Sequence, residues 1–225
     1  MKTVFFDIDH TLYDGYLGTD FNLFMVRQKY VGDEIIEKED ALVADYTAGE
    51  IDYREAAQRA LQIHADCLQG KTVDEVRAIQ HEFIKEQDKF FPWVRGVIKY
   101  LQNNGFTTYL ISAAPMTAIE AVAASLNVAQ YYGTELVVQD GCYTGELKML
   151  LNFEEKRRLI TSLVEKTGGD MHIGVGDSLG DVDMLGAMDA AILYNPQFEE
   201  LIALAEKNNW IVANSETIEE IIKTL

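Results

Sequence analysis

Asp7 and Asp9 stand two residues apart at the end of Val4-Phe5-Phe6, an apolar run that reads as a buried strand. Buried parallel strands are continuous apolar runs, and ligands of open α/β sheets sit just beyond the carboxyl ends of such strands. Carboxylates that close repel unless one keeps its proton or a cation lies between them. Mg2+ suits the pair, because a hard cation takes a few carboxylate oxygens together with phosphate and water. Further polar residues end apolar runs in the same way. Ser112 closes Thr107-Thr-Tyr-Leu-Ile111, Asp177 and Asp181 follow His172-Ile-Gly-Val-Gly176, and Lys156 lies near a helix start upstream of that pair. Each has a plain structural reading: a strand turning into a loop, a loop hydroxyl, a helix-capping turn, a solvated helix face. Together they supply the parts of phosphoryl transfer through a phospho-aspartate: a nucleophile beside a cation, a hydroxyl donor, a lysine and a second carboxylate pair.

These residues need a sheet to bring them together, and the chain supplies one. From Phe90 onward helical and strand patterns alternate. Helices are expected over 94–104, 116–126, 152–166, 198–208 and 217–225, with strands over 107–111, 172–176, 190–194 and 210–213. Thr134–Val138 and Cys142–Leu147 flank Gln139-Asp140-Gly141 and read as a β-hairpin. Such β–α repeats with right-handed crossovers predict an α/β fold, a Rossmann-like, mostly parallel sheet flanked by helices. Between Leu12 and Phe90 no strand pattern occurs. Asp20 is read as the cap of a first helix reaching Tyr30, and Asp33–Tyr46 as a second. Asp52 caps a third to Leu68, and Thr72-Val-Asp-Glu75 is a capping-box signature for a fourth, to about Gln87. The expected organisation is a catalytic core of residues 1–13 and 89–225 with an inserted helical cap at 14–88.

The chain has 225 residues, enough for one core with an inserted subdomain, and its 48% hydrophobic and 25% charged residues are ordinary for a globular protein. A formal net charge of −18 argues against a nucleic-acid partner or an anionic membrane surface. No apolar segment approaches the roughly 20 residues of a membrane span, and the first residues lack a signal-peptide pattern. Cys67 and Cys142 lie far apart in unlike contexts, against a disulfide framework or a zinc site. The expected location is the cytoplasm, as a monomer or homodimer with a small phosphorylated metabolite as its partner.

Asp7-Ile-Asp9-His-Thr11, Ile111-Ser112, Lys156 and Gly176-Asp177-Ser178-x-x-Asp181-x-x-Met184 resemble, in order and spacing, the four motifs of the haloacid dehalogenase superfamily in its aspartate-nucleophile phosphatase branch. A helical insert between the first and second motifs, Ser112-Ala-Ala-Pro115, Gly133-Thr-Glu-Leu136 and Thr144-Gly-Glu-Leu147 look especially like the phosphoserine phosphatase-like subgroup. The resemblance implies a Mg2+-dependent hydrolase of phosphate monoesters. Asp7 would be the nucleophile, Asp9 the proton carrier, and Ser112, Ala113 and Lys156 the phosphate grip. The metal would sit on Asp7, on Asp9 through its backbone carbonyl and on Asp177, with Asp181 as an outer ligand or as the holder of Lys156. Thr11 would orient the loop or Asp9. Candidate substrate contacts are His10, Tyr16, Tyr53 and Arg59. Tyr16 stands where serine-phosphate enzymes carry a cap acid, and Ala60, not Arg59, aligns with their carboxylate-binding arginine. Arg59 and Arg54 also fit a solvated helix face. A phosphotransferase or mutase using the same aspartate, a phosphoserine phosphatase proper, a dehalogenase, a receiver-type module and an inactive binding protein are the alternatives.

Overall fold

A computed structural model of the chain describes residues 2–149, 151–169 and 171–225. Strand β1 (Lys2–Phe6) opens the chain and lies in the middle of the sheet. Four helices follow: α1 (Leu17–Arg27), α2 (Glu34–Thr47), α3 (Tyr53–Leu68) and α4 (Val73–Glu86). Then come α5 (Val94–Asn103), β2 (Phe106–Pro115), α6 (Met116–Leu126), β3 (Gln130–Gln139), β4 (Cys142–Met149) and α7 (Phe153–Thr167). Strand β5 (Met171–Gly176), a 3-10 turn at Leu179–Asp181, α8 (Val182–Gly186), β6 (Ala190–Tyr194), α9 (Glu199–Asn208), β7 (Ile211–Ala213) and α10 (Ile218–Thr224) complete it.

The seven strands run in the order β4-β3-β2-β1-β5-β6-β7, all parallel except the β3–β4 pair. This is the expected α/β class. The chain leaves β1 to pair with β2 on one side and later returns to pair with β5 on the other. The strand order therefore reverses at β1, which opens a crevice beyond its carboxyl end. Alternation along β1 feeds two cores at once. Val4 and Phe6 join the large cluster with the α5 and α6 side chains, whereas Phe5 packs with Ile111, Ile160, Leu163 and Leu193 beneath α7 and α9. Burial on both faces is what makes the strand read as a continuous apolar run.

Local signals hold where a polar side chain meets a helix start. Asp52 accepts from Glu55 N, Asn152 accepts from Glu155 N, and Thr72 and Glu75 form a complete capping box. Asp20 departs from its expected role. Helix α1 begins earlier, at Leu17, and Asp20 sits within its first turn, accepting from Tyr13 Oη and Lys89 Nζ. The Leu17 amide goes instead to Asp9, which is why the helix starts there. The hairpin turns at Asp140 and Gly141, both at positive φ, as a tight two-residue turn demands. The link between α3 and α4 runs along its outer edge through Gly70 N to Tyr143 O, Tyr143 N to Lys71 O and Val73 N to Gly141 O. Cys67 and Cys142 are both free. Among the described residues no helix is long and apolar enough to cross a membrane.

Candidate active site

Three strand ends meet at the crevice. Asp7 N donates to Val175 O, extending the β1–β5 ladder by one residue and fixing the Asp7 side chain at the edge of the sheet. The chain then turns sharply: Ile8 O accepts from the amides of Thr11, Leu12 and Tyr13, and His10 takes a left-handed conformation at φ 56°. The turn puts Asp9 under the start of α1, where its Oδ1 accepts from Leu17 N at 2.8 Å. Ser112 is buried, and its Oγ accepts from Ala114 N at 3.1 Å, which leaves its O–H to point elsewhere. Ala113 beside it is exposed.

Lys156 is the hub. Its ammonium, 5% exposed as a residue, lies 2.8 Å from Asp7 Oδ1 and 2.6 Å from Asp181 Oδ1. Asp181 is fully buried, and its second oxygen accepts from Asp177 N, Ser178 N and Ser178 Oγ. Both of its oxygens are thus occupied within the protein, so its geometry is that of a holder of Lys156. Gly176 makes this approach possible, since a Cβ there would stand 2.6 Å from Asp181 Cγ. Thr11, expected to orient the loop or Asp9, donates to Asp177 Oδ1 at 3.1 Å and so joins the loop after β1 to the loop after β5.

Charge is unbalanced. Four carboxylates, Asp7, Asp9, Asp177 and Asp181, share one ammonium. Burial above all, then Asp181, raises Asp7 well above the usual carboxylate range despite Lys156. Burial and Asp181 push Asp177 up to about 7, against the Thr11 hydroxyl bond. Burial pushes Asp9 up to about 6, against the Leu17 amide. Burial pulls Lys156 down, but Asp181 and Asp7 outweigh it and hold the lysine above its ordinary value. A cluster this short of positive charge retains protons or takes up a cation. Asp7, Asp177 and Asp181 can each offer an oxygen with all three within 4.8 Å of one another. An all-oxygen donor set fits a hard divalent cation such as Mg2+. With Asp181 saturated, Asp7 and Asp177 are the better ligands, and the Asp9 side chain is turned to Leu17.

The expected substrate contacts separate into two groups. His10 and Tyr16 lie together, ring centroids 4.7 Å apart and edge-on, beside Asp9. Tyr53 stacks on Phe153 at the start of the Lys156 helix. Arg59 does not join them: its guanidinium pairs with Asp45 and Glu55 on exposed faces of α2 and α3. The solvated-face reading wins there because two carboxylates stand within reach on the helix surface. Sequence reasoning missed Leu17, whose amide carries no sequence signal, and Phe153. The latter is three residues before Lys156, a spacing that places both on one helix face.

A model of the haloacid dehalogenase-like hydrolases matches residues 4–186. Phosphoserine phosphatase SerB2 of Mycobacterium tuberculosis is 27% identical over 197 residues, covering 86% of this chain and 44% of that protein. The chain therefore spans less than half the length of that relative. A phosphoserine phosphatase of Idiomarina loihiensis is 28% identical over 193 residues, 84% of this chain and 80% of that one. Among solved structures, a protein with unknown function from Bordetella pertussis Tohama I aligns with a TM-score of 0.81 at 23% identity, over 95% of this chain and 98% of its own. A phospho-aspartyl intermediate analogue of phosphoserine phosphatase aligns at 0.66 and 18% identity, over 100% and 98%. At these identities the structural likeness is one of fold.

Proposed function

This chain belongs to the haloacid dehalogenase-like hydrolases, and we propose that it hydrolyses a small phosphate monoester through a covalent phospho-aspartate on Asp7. The observation that carries this reading is the Lys156 ammonium held between Asp7 and Asp181 at the mouth where β1, β2 and β5 end. A lysine fixed on the nucleophile's own oxygen lies where the non-bridging oxygens of an attacked phosphoryl group arrive. In a loose transition state those oxygens carry the charge that must be stabilised.

In the first displacement the free oxygen of Asp7 attacks phosphorus and the bond to the leaving alkoxide breaks. Asp9, raised to about 6 by burial, gives that alkoxide its proton. In the second, Asp9 takes a proton from water as the water oxygen attacks phosphorus, the Asp7–phosphorus linkage breaks, and phosphate leaves. One carboxyl acting as acid and then base is the economy of a two-step cycle. Ser112 and Lys156 grip the phosphoryl oxygens, with Ala113 next to Ser112 in the last residues of β2, and Thr11 steadies Asp177. A Mg2+ ion held by Asp7 and Asp177 would neutralise phosphoryl charge that the single lysine leaves unbalanced. Residues 14–88 would form a cap that selects the leaving group, over a core of residues 1–13 and 89–225.

Acid quenching during turnover, followed by mass spectrometry, tests the reading. The intact chain should gain one phosphoryl group on a peptide containing Asp7, and Asp7→Asn should neither gain it nor turn over the ester. Turnover by Asp7→Asn at the native rate would overturn the assignment.

A further inference from the structure

Exposed aromatic rings on a protein surface are ordinarily scattered. Here three of the exposed tyrosines lie near the carboxylates at the end of β1. Tyr16, Tyr46 and Tyr53 are 58%, 48% and 49% exposed. His10 and Tyr16 meet edge-on at 4.7 Å, Tyr46 and Tyr53 lie 6.5 Å apart at 65°, and Tyr53 stacks on Phe153 at 6.1 Å with planes 22° apart.

Each ring is tied to a part of the reacting centre. His10 follows Asp9, and Tyr16 precedes the Leu17 amide that holds Asp9. Phe153 lies one helical turn before Lys156, and its Cε1 would stand 3.0 Å from a Cβ on Gly180, in the loop that carries Asp177 and Asp181. The collar thus runs from the loop after β1, across the end of α2 and the start of α3, to the loop after β5. Both outer phenols feel the carboxylates below. After burial, Asp7, Tyr16, Asp9 and Asp181 raise Tyr53, and Asp9, Tyr46 and Asp177 raise Tyr16. Of the nearby arginines, one is engaged elsewhere and one lies on the collar itself. Arg59 pairs with Asp45 and Glu55, and Arg54 lies over the Phe153 ring with its guanidinium carbon 5.5 Å from the centroid.

We propose that the collar of His10, Tyr16, Tyr46, Tyr53 and Phe153 selects phosphate monoesters whose leaving alcohol carries a flat apolar ring, which lies against Tyr16 and Tyr53 while the phosphate reaches Asp7. The inference rests on the phosphatase reading and names the substrate class of that site. Ring faces that meet at 4.5–7 Å centroid distances gain from offset or edge-on contact beyond the area they bury, worth roughly tenfold in kcat/KM for a well-placed contact.

The test compares 2-phenylethyl phosphate with ethyl phosphate, whose alkoxides make similar leaving groups, and adds phosphoserine. The ring ester should be favoured by about tenfold or more in kcat/KM, mainly through KM. Tyr53→Ala and Tyr16→Ala should bring that ratio toward one, and Tyr53→Phe, which keeps the ring, should preserve it. A ratio near one in the native chain, a ratio unmoved in both alanine variants, or preference for phosphoserine over the ring ester would overturn the inference. Native hydrolysis of ethyl phosphate without ring preference overturns the collar alone. A folded chain inert to all three esters overturns the phosphatase reading and the collar with it.

Discussion

Asp9 Oδ1 accepts the Leu17 amide at 2.8 Å, so the first turn of α1 holds the carboxyl near Asp7. Burial lifts that carboxyl to about 6 and the Leu17 amide opposes the rise. An acid–base group works best with a pKa near the working pH. Asp9→Asn keeps an oxygen for Leu17 but carries no transferable proton. Its kcat/KM on an alkyl phosphate, which reports the first displacement, should fall by about 10²–10⁴-fold. On an aryl phosphate, whose phenolate leaves without a proton, the loss should be smaller, and the limb near pH 6 should vanish from the profile. Equal losses on both esters would exclude Asp9 as the acid.

Lys156 is equally committed to the fold. Removing one partner of a buried ion pair leaves an uncompensated charge and costs about 3–5 kcal/mol. Lys156→Met should destabilise the chain by that order at neutral pH, because Asp7 and Asp181 are both buried. Combining it with Asp181→Asn should recover part of the loss, since residues in one network are not additive. Urea unfolding of the two single variants and the double variant decides this: strictly additive losses would contradict the coupling.

Much of this site was legible because chemistry and strand ends coincide. Asp7, Ser112, Asp177 and Asp181 each follow an apolar run, and a parallel sheet brings such ends together whatever the loops do. Lys156 was legible through the resemblance and its place after a capped helix start. Bonds made by backbone amides were not. Asp20 looks like a helix cap in sequence, yet a carboxylate from the preceding turn takes the Leu17 amide and starts α1 earlier. Thr11 is expected to orient the loop or Asp9, and it does tie down the loop, but through Asp177, 166 residues away, a partner that no local pattern reports. Rings such as Tyr46 and Phe153 sit at helix ends, where periodicity does not say what they face.

The carboxylate cluster predicts how Mg2+ and pH combine. Asp177 rises to about 7 in the folded chain, far above its unfolded value. The folded metal-free state therefore holds protons that the unfolded state releases. Its stability is greatest below the unfolded pKa and is lost as pH rises through about 7. A cation takes the place of those protons. The gain in Tm on adding Mg2+ should thus grow from about pH 5 to about pH 8, and Asp177→Asn should flatten it. Thermal melts with Mg2+ and with chelator measure the difference, and a gain independent of pH would count against this site.

A second buried network makes the opposite prediction for acid. His64 Nδ1 lies 2.6 Å from Asn22 Oδ1 and its Nε2 lies 2.7 Å from Thr117 Oγ1. Asn22 Nδ2 donates to Glu39, which as a carboxylate only accepts. The Asn22 oxygen therefore faces His64, Nδ1 carries the proton, and Nε2 accepts from Thr117. One neutral imidazole thus ties α1 and α3 to α6, the helix that follows directly on β2, the strand that carries Ser112. Burial lowers His64 from 6.5 to about 3. The unfolded chain takes up the proton first, so stability is intact above the unfolded pKa and falls as pH drops toward about 3. Between pH 7 and pH 5 the loss from this residue is about 2 kcal/mol. Glu39 works the other way, since burial raises it and its protonation relieves the folded state. His64→Gln should remove the acid-side loss and Glu39→Gln should steepen it. Urea midpoints at the two pH values for the three chains test the assignment, and parallel pH curves for native and His64→Gln would refute it.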